Sequence, residues 1–346
     1  MIKEWNLLRT VACLSIVLLH STTHIGRVAG HIKLDLYHFF RITLCYATPT
    51  FIVLSIIILA NRYTDKLPNN FWEKRLKFIF LPYVSFAIID AVVGKSLNTN
   101  IFIDRQILDN VLTGKYEGWF ILVIFQLYFL YYFVIKYKLS MKKIFPISII
   151  IMAWYLHFIS GPITDPLLIK FKHTLKLPFI AWLGYFTIAI IIGKYYSLIS
   201  KKLFKYRWLT ILWVAISLSI IYISFRSGVT NIDSRRIDLY PLVLSVMACI
   251  LAWGQSFHNS KVINTISNYS FGIYLLHWQI QRIISPYIGE AFTHRSYAII
   301  VLFFSSLLIS IIIIKLMSYL SFGKYIIGNI KREKTSKIKV EQVVQA

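Results

Sequence analysis

Arg9 and His20 close the two ends of RTVACLSIVLLH, a stretch otherwise made of apolar and small residues. The helical rotation between them is about 1100°, only about 20° past three full turns, so both side chains fall on one face. The rise separates them by about 16 Å, roughly half the hydrocarbon thickness of a bilayer. A guanidinium offers a planar fork for phosphate or carboxylate. An imidazole accepts and returns a proton near neutral pH. Each residue also has a plainer reading, Arg9 as a basic anchor snorkelling to a membrane surface and His20 as a packing histidine. Ionisable groups inside a membrane segment nevertheless point to function by default, and two in register strengthen that reading.

The elements that must position this pair are membrane helices. Hydrophobic residues make up 57% of the 346 residues and charged residues only 15%, against about 25% charged in an ordinary soluble domain; mean hydropathy is +0.64. Apolar windows near 5–25, 41–61, 77–95, 118–136, 143–161, 178–199, 208–225, 239–256, 264–285 and 297–319 predict an all-α integral membrane protein. The expected architecture is one polytopic bundle of about ten transmembrane helices. Residues 1–325 would form the membrane domain and 326–346 a basic, flexible tail.

With the N-terminus inside, 23 basic residues fall on the cytoplasmic side and 14 outside, while acidic residues divide 5 to 9. The positive-inside rule therefore puts both termini in the cytoplasm. The net charge of +24 is no nucleic-acid footprint, because its lysines and arginines lie in short runs between apolar spans. Cys13, Cys45 and Cys249 all fall in apolar segments and read as buried thiols rather than disulfides. His20, His24, His31 and His38 carry no metal-ligand spacing, so no metal is expected. No phosphate-loop glycine pattern and no Gly-x-Ser-x-Gly elbow appears.

The Arg-x10-His spacing resembles the first-span signature of membrane-bound acyltransferase family 3. Further stretches resemble that family in order: TPTFIVLS (48–55), FWEKRLKFIFLPY (71–83), GWFILVIFQLYFL (118–130), WLGYFTIAIIIGKYYS (182–197) and ISNYSFGIYLLHWQI (266–280). RLKFIFLPY and NVLTGKYEGWF are most similar in look to the family's intercellular adhesion protein C type. One departure stands out. Many members carry Arg-x-x-Arg before Pro-Tyr, whereas here Arg75 is followed by Lys77 and Phe78, and lysine offers a point charge rather than a fork.

The resemblance implies an enzyme that moves an acyl group, acetyl or succinyl, from cytoplasmic acyl-CoA to a hydroxyl of a cell-surface or lipid-linked glycan. His20 and Arg9 would be catalytic, His20 as general base or as transient acyl acceptor. Arg75, Lys77 and Tyr83 would bind the donor. Asp35, Arg41, Glu117 and Trp119 would bind the acceptor, although Asp35 and Arg41 could instead form a structural ion pair and Trp119 could be a membrane-belt anchor. Asp90, unpaired in an apolar span, and Tyr274 and His277 would be polar groups of the bundle interior. The partners implied are acyl-CoA, the glycan and the bilayer, with polysaccharide synthase subunits as further candidates. A glycan exporter is the alternative function, since members of the type it most resembles carry that label. A purely structural subunit of a synthase would tolerate changes at both Arg9 and His20.

Overall fold

The computed structural model describes residues 2–161, 165, 168–169, 172–258 and 260–330. Among these the chain is helical throughout, with no strand. The helices are α1 (Lys3–Ala29), α2 (Asp35–Leu44), α3 (Ala47–Arg62), α4 (Phe71–Arg75), α5 (Leu81–Leu97), α6 (Ile103–Thr113), α7 (Phe120–Lys136) and α8 (Met141–Ser160). They continue with α9 (Leu183–Lys194), α10 (Tyr196–Lys205), α11 (Arg207–Arg226), α12 (Leu239–Trp253), α13 (Lys261–Ala291), α14 (Arg295–Tyr319) and α15 (Gly323–Ile326). By length and composition seven helical stretches among the described residues can cross a membrane, or eight if the pair Phe179–Lys194 and Tyr196–Lys205, bent by 90°, counts as one span.

The two other expected spans are present as helices of a different kind. Helix α12 has 15 residues, fewer than the roughly 20 that a bilayer needs. Helix α13 has 31 residues but is polar, and its polar groups turn inward. It packs along α1, where Asn6 donates to Asn264 (2.9 Å), Thr10 to the Ile263 carbonyl (3.0 Å) and Gln281 to the Val17 carbonyl (3.0 Å). Interhelical hydrogen bonds of this kind hold helices together where no hydrophobic effect can act between them.

Prolines account for the breaks. Pro49 has no N–H for the carbonyl four residues back, and the expected span 41–61 parts at Cys45–Tyr46, between α2 and α3. Pro82 sits in the first turn of α5, and the turn before it, Leu76–Phe80, widens to π geometry. Such turns often mark functional sites. Helices α3 and α9 approach closely at Gly193, where an added Cβ would lie 2.6 Å from the Ile57 carbonyl oxygen.

Residues 326–330 still pack on the bundle, with Ile327 buried, whereas residues 331–346 of the expected tail lie outside the described residues. Cys13 and Cys45 are buried free thiols, and Cys249 is a partly buried one.

Candidate active site

Helix α1 runs without interruption through Arg9 and His20, and the two residues line different cavities. Arg9 lines one of about 650 Å³ together with Arg62, Lys74, Arg75 and Tyr274. The π turn contributes Phe78 and Ile79 to its wall. Arg9 donates to Ser267 on α13 (3.4 Å). The Arg75 guanidinium lies over the Phe71 and Tyr128 rings at 4.8 and 5.1 Å, and its buried Nε has no hydrogen-bond partner among the described residues. No ion pair to a carboxylate neutralises any of these four cations among the described residues. An unneutralised cluster of three guanidiniums and an ammonium suits a ligand with several phosphates. Asn329 lines the same cavity, so the beginning and the end of the described chain meet at one end of the bundle.

His20 lines a second cavity, of about 270 Å³, with Arg27, Glu117, Trp119, Lys176 and Tyr274. Its Nε2 stands 3.5 Å from Glu117 Oε2. Its ring meets Trp278 edge-on (4.8 Å between centroids) and lies 5.3 Å from His277. A carboxylate facing one imidazole nitrogen fixes the ring and favours the proton on that nitrogen, leaving the other free to act as a base.

Glu117 and Trp119 sit on a 3-10 turn that a glycine positions. Gly114 ends α6 at φ 59°, and a Cβ there would lie 2.8 Å from the Trp119 Cβ. The Lys176 ammonium stands 4.5 Å over the Trp119 ring. Burial pulls that ammonium below the usual lysine value, with Glu117 opposing. Asp233 and Arg235, paired with each other, complete the rim.

Tyr274 is common to both cavities. Its hydroxyl donates to the Glu117 carbonyl, and its ring packs edge-on against Phe120 at 4.7 Å. A basic cavity at one end of a helical membrane bundle therefore backs, through one tyrosine, onto a histidine–carboxylate pair. Residues 2–315 match the family described as Acyltransferase domain, and the chain belongs to membrane-bound acyltransferase family 3. Among curated relatives, "Putative membrane-bound acyltransferase YfiQ" of Bacillus subtilis (strain 168) is 34% identical over 291 residues, covering 80% of each chain. "Probable poly-beta-1,6-N-acetyl-D-glucosamine export protein" of Staphylococcus aureus (strain MSSA476) is 28% identical, covering 78% of this chain and 79% of its own. The Staphylococcus epidermidis protein of the same name is also 28% identical, covering 78% of both chains. No solved structure matches the chain.

Several residues singled out from sequence stand elsewhere. Lys77 is exposed on the far side of its turn, paired with Glu73 at 2.6 Å, and Lys74 and Arg62 take its place in the basic cavity. Tyr83 is fully buried and donates to the Asn110 and Val111 carbonyls at 2.6 and 2.9 Å, bracing α5 against α6. Arg41 is buried and donates to Thr22 and Thr23 at 3.0 and 3.2 Å, tying α2 to α1. Asp35 is exposed and forms no ion pair with Arg41.

Asp90 is not unpaired. It accepts from Gln279 (2.7 Å) and Asn110 (2.9 Å), and Arg282 lies 3.6 Å away. Its partners sit on α6 and α13, remote in sequence, which is why the span alone made it look isolated. His277 is fully buried, with Nδ1 donating to the Ile273 carbonyl (2.9 Å). Sequence reasoning passed over Arg27, Arg62, Lys74, Lys176, Asp233 and Arg235. Arg27, Arg62 and Lys74 counted there only as topology charges, and Lys176, Asp233 and Arg235 come from segments that only folding brings to α1.

Proposed function

We propose that the chain is an O-acyltransferase that moves an acetyl or succinyl group from acyl-CoA in the basic cavity to a glycan hydroxyl in the His20 cavity. The observation that carries this reading is the sharing of Tyr274 by two chemically different cavities, one cationic and one holding a base. Arg9, Arg62, Lys74 and Arg75 hold the phosphates of the coenzyme, and its flexible arm carries the thioester past Tyr274 and Phe120. His20, oriented by Glu117, takes the proton from the acceptor hydroxyl. The oxygen attacks the thioester carbonyl carbon, the tetrahedral adduct collapses with loss of the coenzyme thiolate, and His20 returns the proton to that sulfur. Trp119, under the Lys176 ammonium, forms part of the wall against which the sugar would lie, with Glu117 beside it as a hydrogen-bond acceptor.

The lysine and arginine excess supports a cytoplasmic basic end, with both termini on that side of a bundle with an even number of spans. The runner-up is a glycan exporter, and it draws on the printed names of the staphylococcal relatives. Against it stands the His20–Glu117 pair at 3.5 Å, a base with its carboxylate that acyl transfer requires and a glycan pathway does not. The experiment uses right-side-out membrane vesicles carrying the protein, loaded inside with radiolabelled acyl-CoA, with glycan supplied outside. Label on the external glycan is the expected result. Label that appears only when the coenzyme is supplied outside would overturn the reading.

A further inference from the structure

A third cavity lies apart from both sites. It is an amphipathic groove of about 460 Å³ between α3, the α7–α8 turn and the end of α9. Its floor is apolar and includes Tyr131, Val134, Ile190 and Ile191, while Lys138, Lys142 and Lys194 stand on its rim. None of the three lysines has a carboxylate partner among the described residues. Lys142 rests 4.4 Å over the Tyr195 ring. One acid, Asp65, also lines the groove, with the Thr64 hydroxyl donating to it at 2.7 Å. Positive charge prevails.

The α7–α8 turn holds its lysine at some cost. Helix α7 ends in the paired bonds of a Schellman turn, Lys138 N–H to the Ile135 carbonyl (3.2 Å) and Leu139 N–H to the Val134 carbonyl (3.0 Å). The first residue past the helix cap, the donor of the first of these bonds, takes the left-handed conformation, a position that glycine fills most readily. Here Lys138 occupies it at φ 50°, and it is the one non-glycine residue with positive φ among those described. Strained backbone of this kind persists where a side chain is needed at that spot.

We propose that this groove binds the phosphate headgroup of an anionic phospholipid, with its glycerol and upper chains on the apolar floor. Three ammoniums around one phosphodiester give the charge complementarity. The apolar floor favours a lipid over a free phosphate, which would leave that surface unused. The site is independent of the acyl-transfer reading, because it shares no residue with either cavity described above.

The test uses the full-length protein in nanodiscs of phosphatidylcholine alone or of equal parts phosphatidylcholine and phosphatidylglycerol. Lipid retained after detergent extraction is counted by native mass spectrometry. The wild type should retain phosphatidylglycerol selectively. Lys138→Gly should lower that retention about fivefold while leaving the melting temperature unchanged or raised. Adding Lys142→Gln and Lys194→Gln should bring the loss to the order of a hundredfold. Equal retention of the two lipids would overturn the proposal. So would a Lys138→Gly variant that gains stability with retention intact, since the lysines would then serve only membrane topology. Displacement of the lipid by millimolar inorganic pyrophosphate would assign the groove to a soluble phosphate and overturn it as well.

Discussion

At the scale of single residues, Arg75 and Lys77 carry the same sign and stand two positions apart, yet their surroundings differ. Arg75 stands over two aromatic rings and lines the basic cavity, its buried Nε without a hydrogen-bond partner among the described residues, whereas Lys77 is solvent-exposed and already paired with Glu73. A charge-assisted hydrogen bond to phosphate contributes about 1.5–3 kcal/mol. Arg75→Ala should therefore weaken acyl-CoA binding about ten- to a hundredfold. Lys77→Ala should change it less than about threefold, since exposed ion pairs contribute little. Calorimetric titration of the purified variants with acyl-CoA measures both, and equal losses would move the coenzyme phosphates away from Arg75. Arg9 and His20 were legible from sequence because a charged group in an apolar run is conspicuous. Arg41, Tyr83 and Asp90 were equally conspicuous, and each turned out to be satisfied by Thr22, Asn110 or Gln279. A linear pattern shows that a polar group is buried and does not show who answers it.

At the scale of elements, runs of apolar residues explain most of what was foreseen, and proline explains a break that was not. Eight of the expected spans coincide with long apolar helices or helix pairs, and the break at Cys45–Tyr46 follows from Pro49. Helix α13 is the instructive case, a helix whose buried polar residues are spent on neighbouring helices, α1 above all. Close approach is another property that no hydropathy window reports. Gly193 lets α9 lie against α3, and its carbonyl accepts from Asn61 at 3.1 Å. Gly193→Ala should overpack this contact and destabilise the bundle by about 1–3 kcal/mol. Gly161→Ala, whose added Cβ would meet nothing nearer than 3.5 Å, should be nearly neutral. Melting temperatures in detergent would check the pair, and equal values would remove the need for glycine at the α3–α9 contact.

At the scale of the whole molecule, the fold joins two chemically distinct cavities through one wall. Arg9 and His20 each serve the end of α1 that they occupy, so their register reflects two cavities on one face of the bundle and not a direct contact. The proposed acyl transfer needs a titrating imidazole at position 20, whereas a glycan pathway would need only polarity there. His20→Gln keeps a hydrogen-bonding side chain of similar reach and removes the base, and proton transfer by a positioned side chain contributes about 10² to 10⁴ in rate. The decisive measurement is the O-acyl content of surface polysaccharide from cells carrying His20→Gln, taken together with the total polysaccharide exported and the level of inserted protein. The account predicts acylation reduced by about a hundredfold or more, with export and protein level unchanged. Normal acylation from His20→Gln would contradict it.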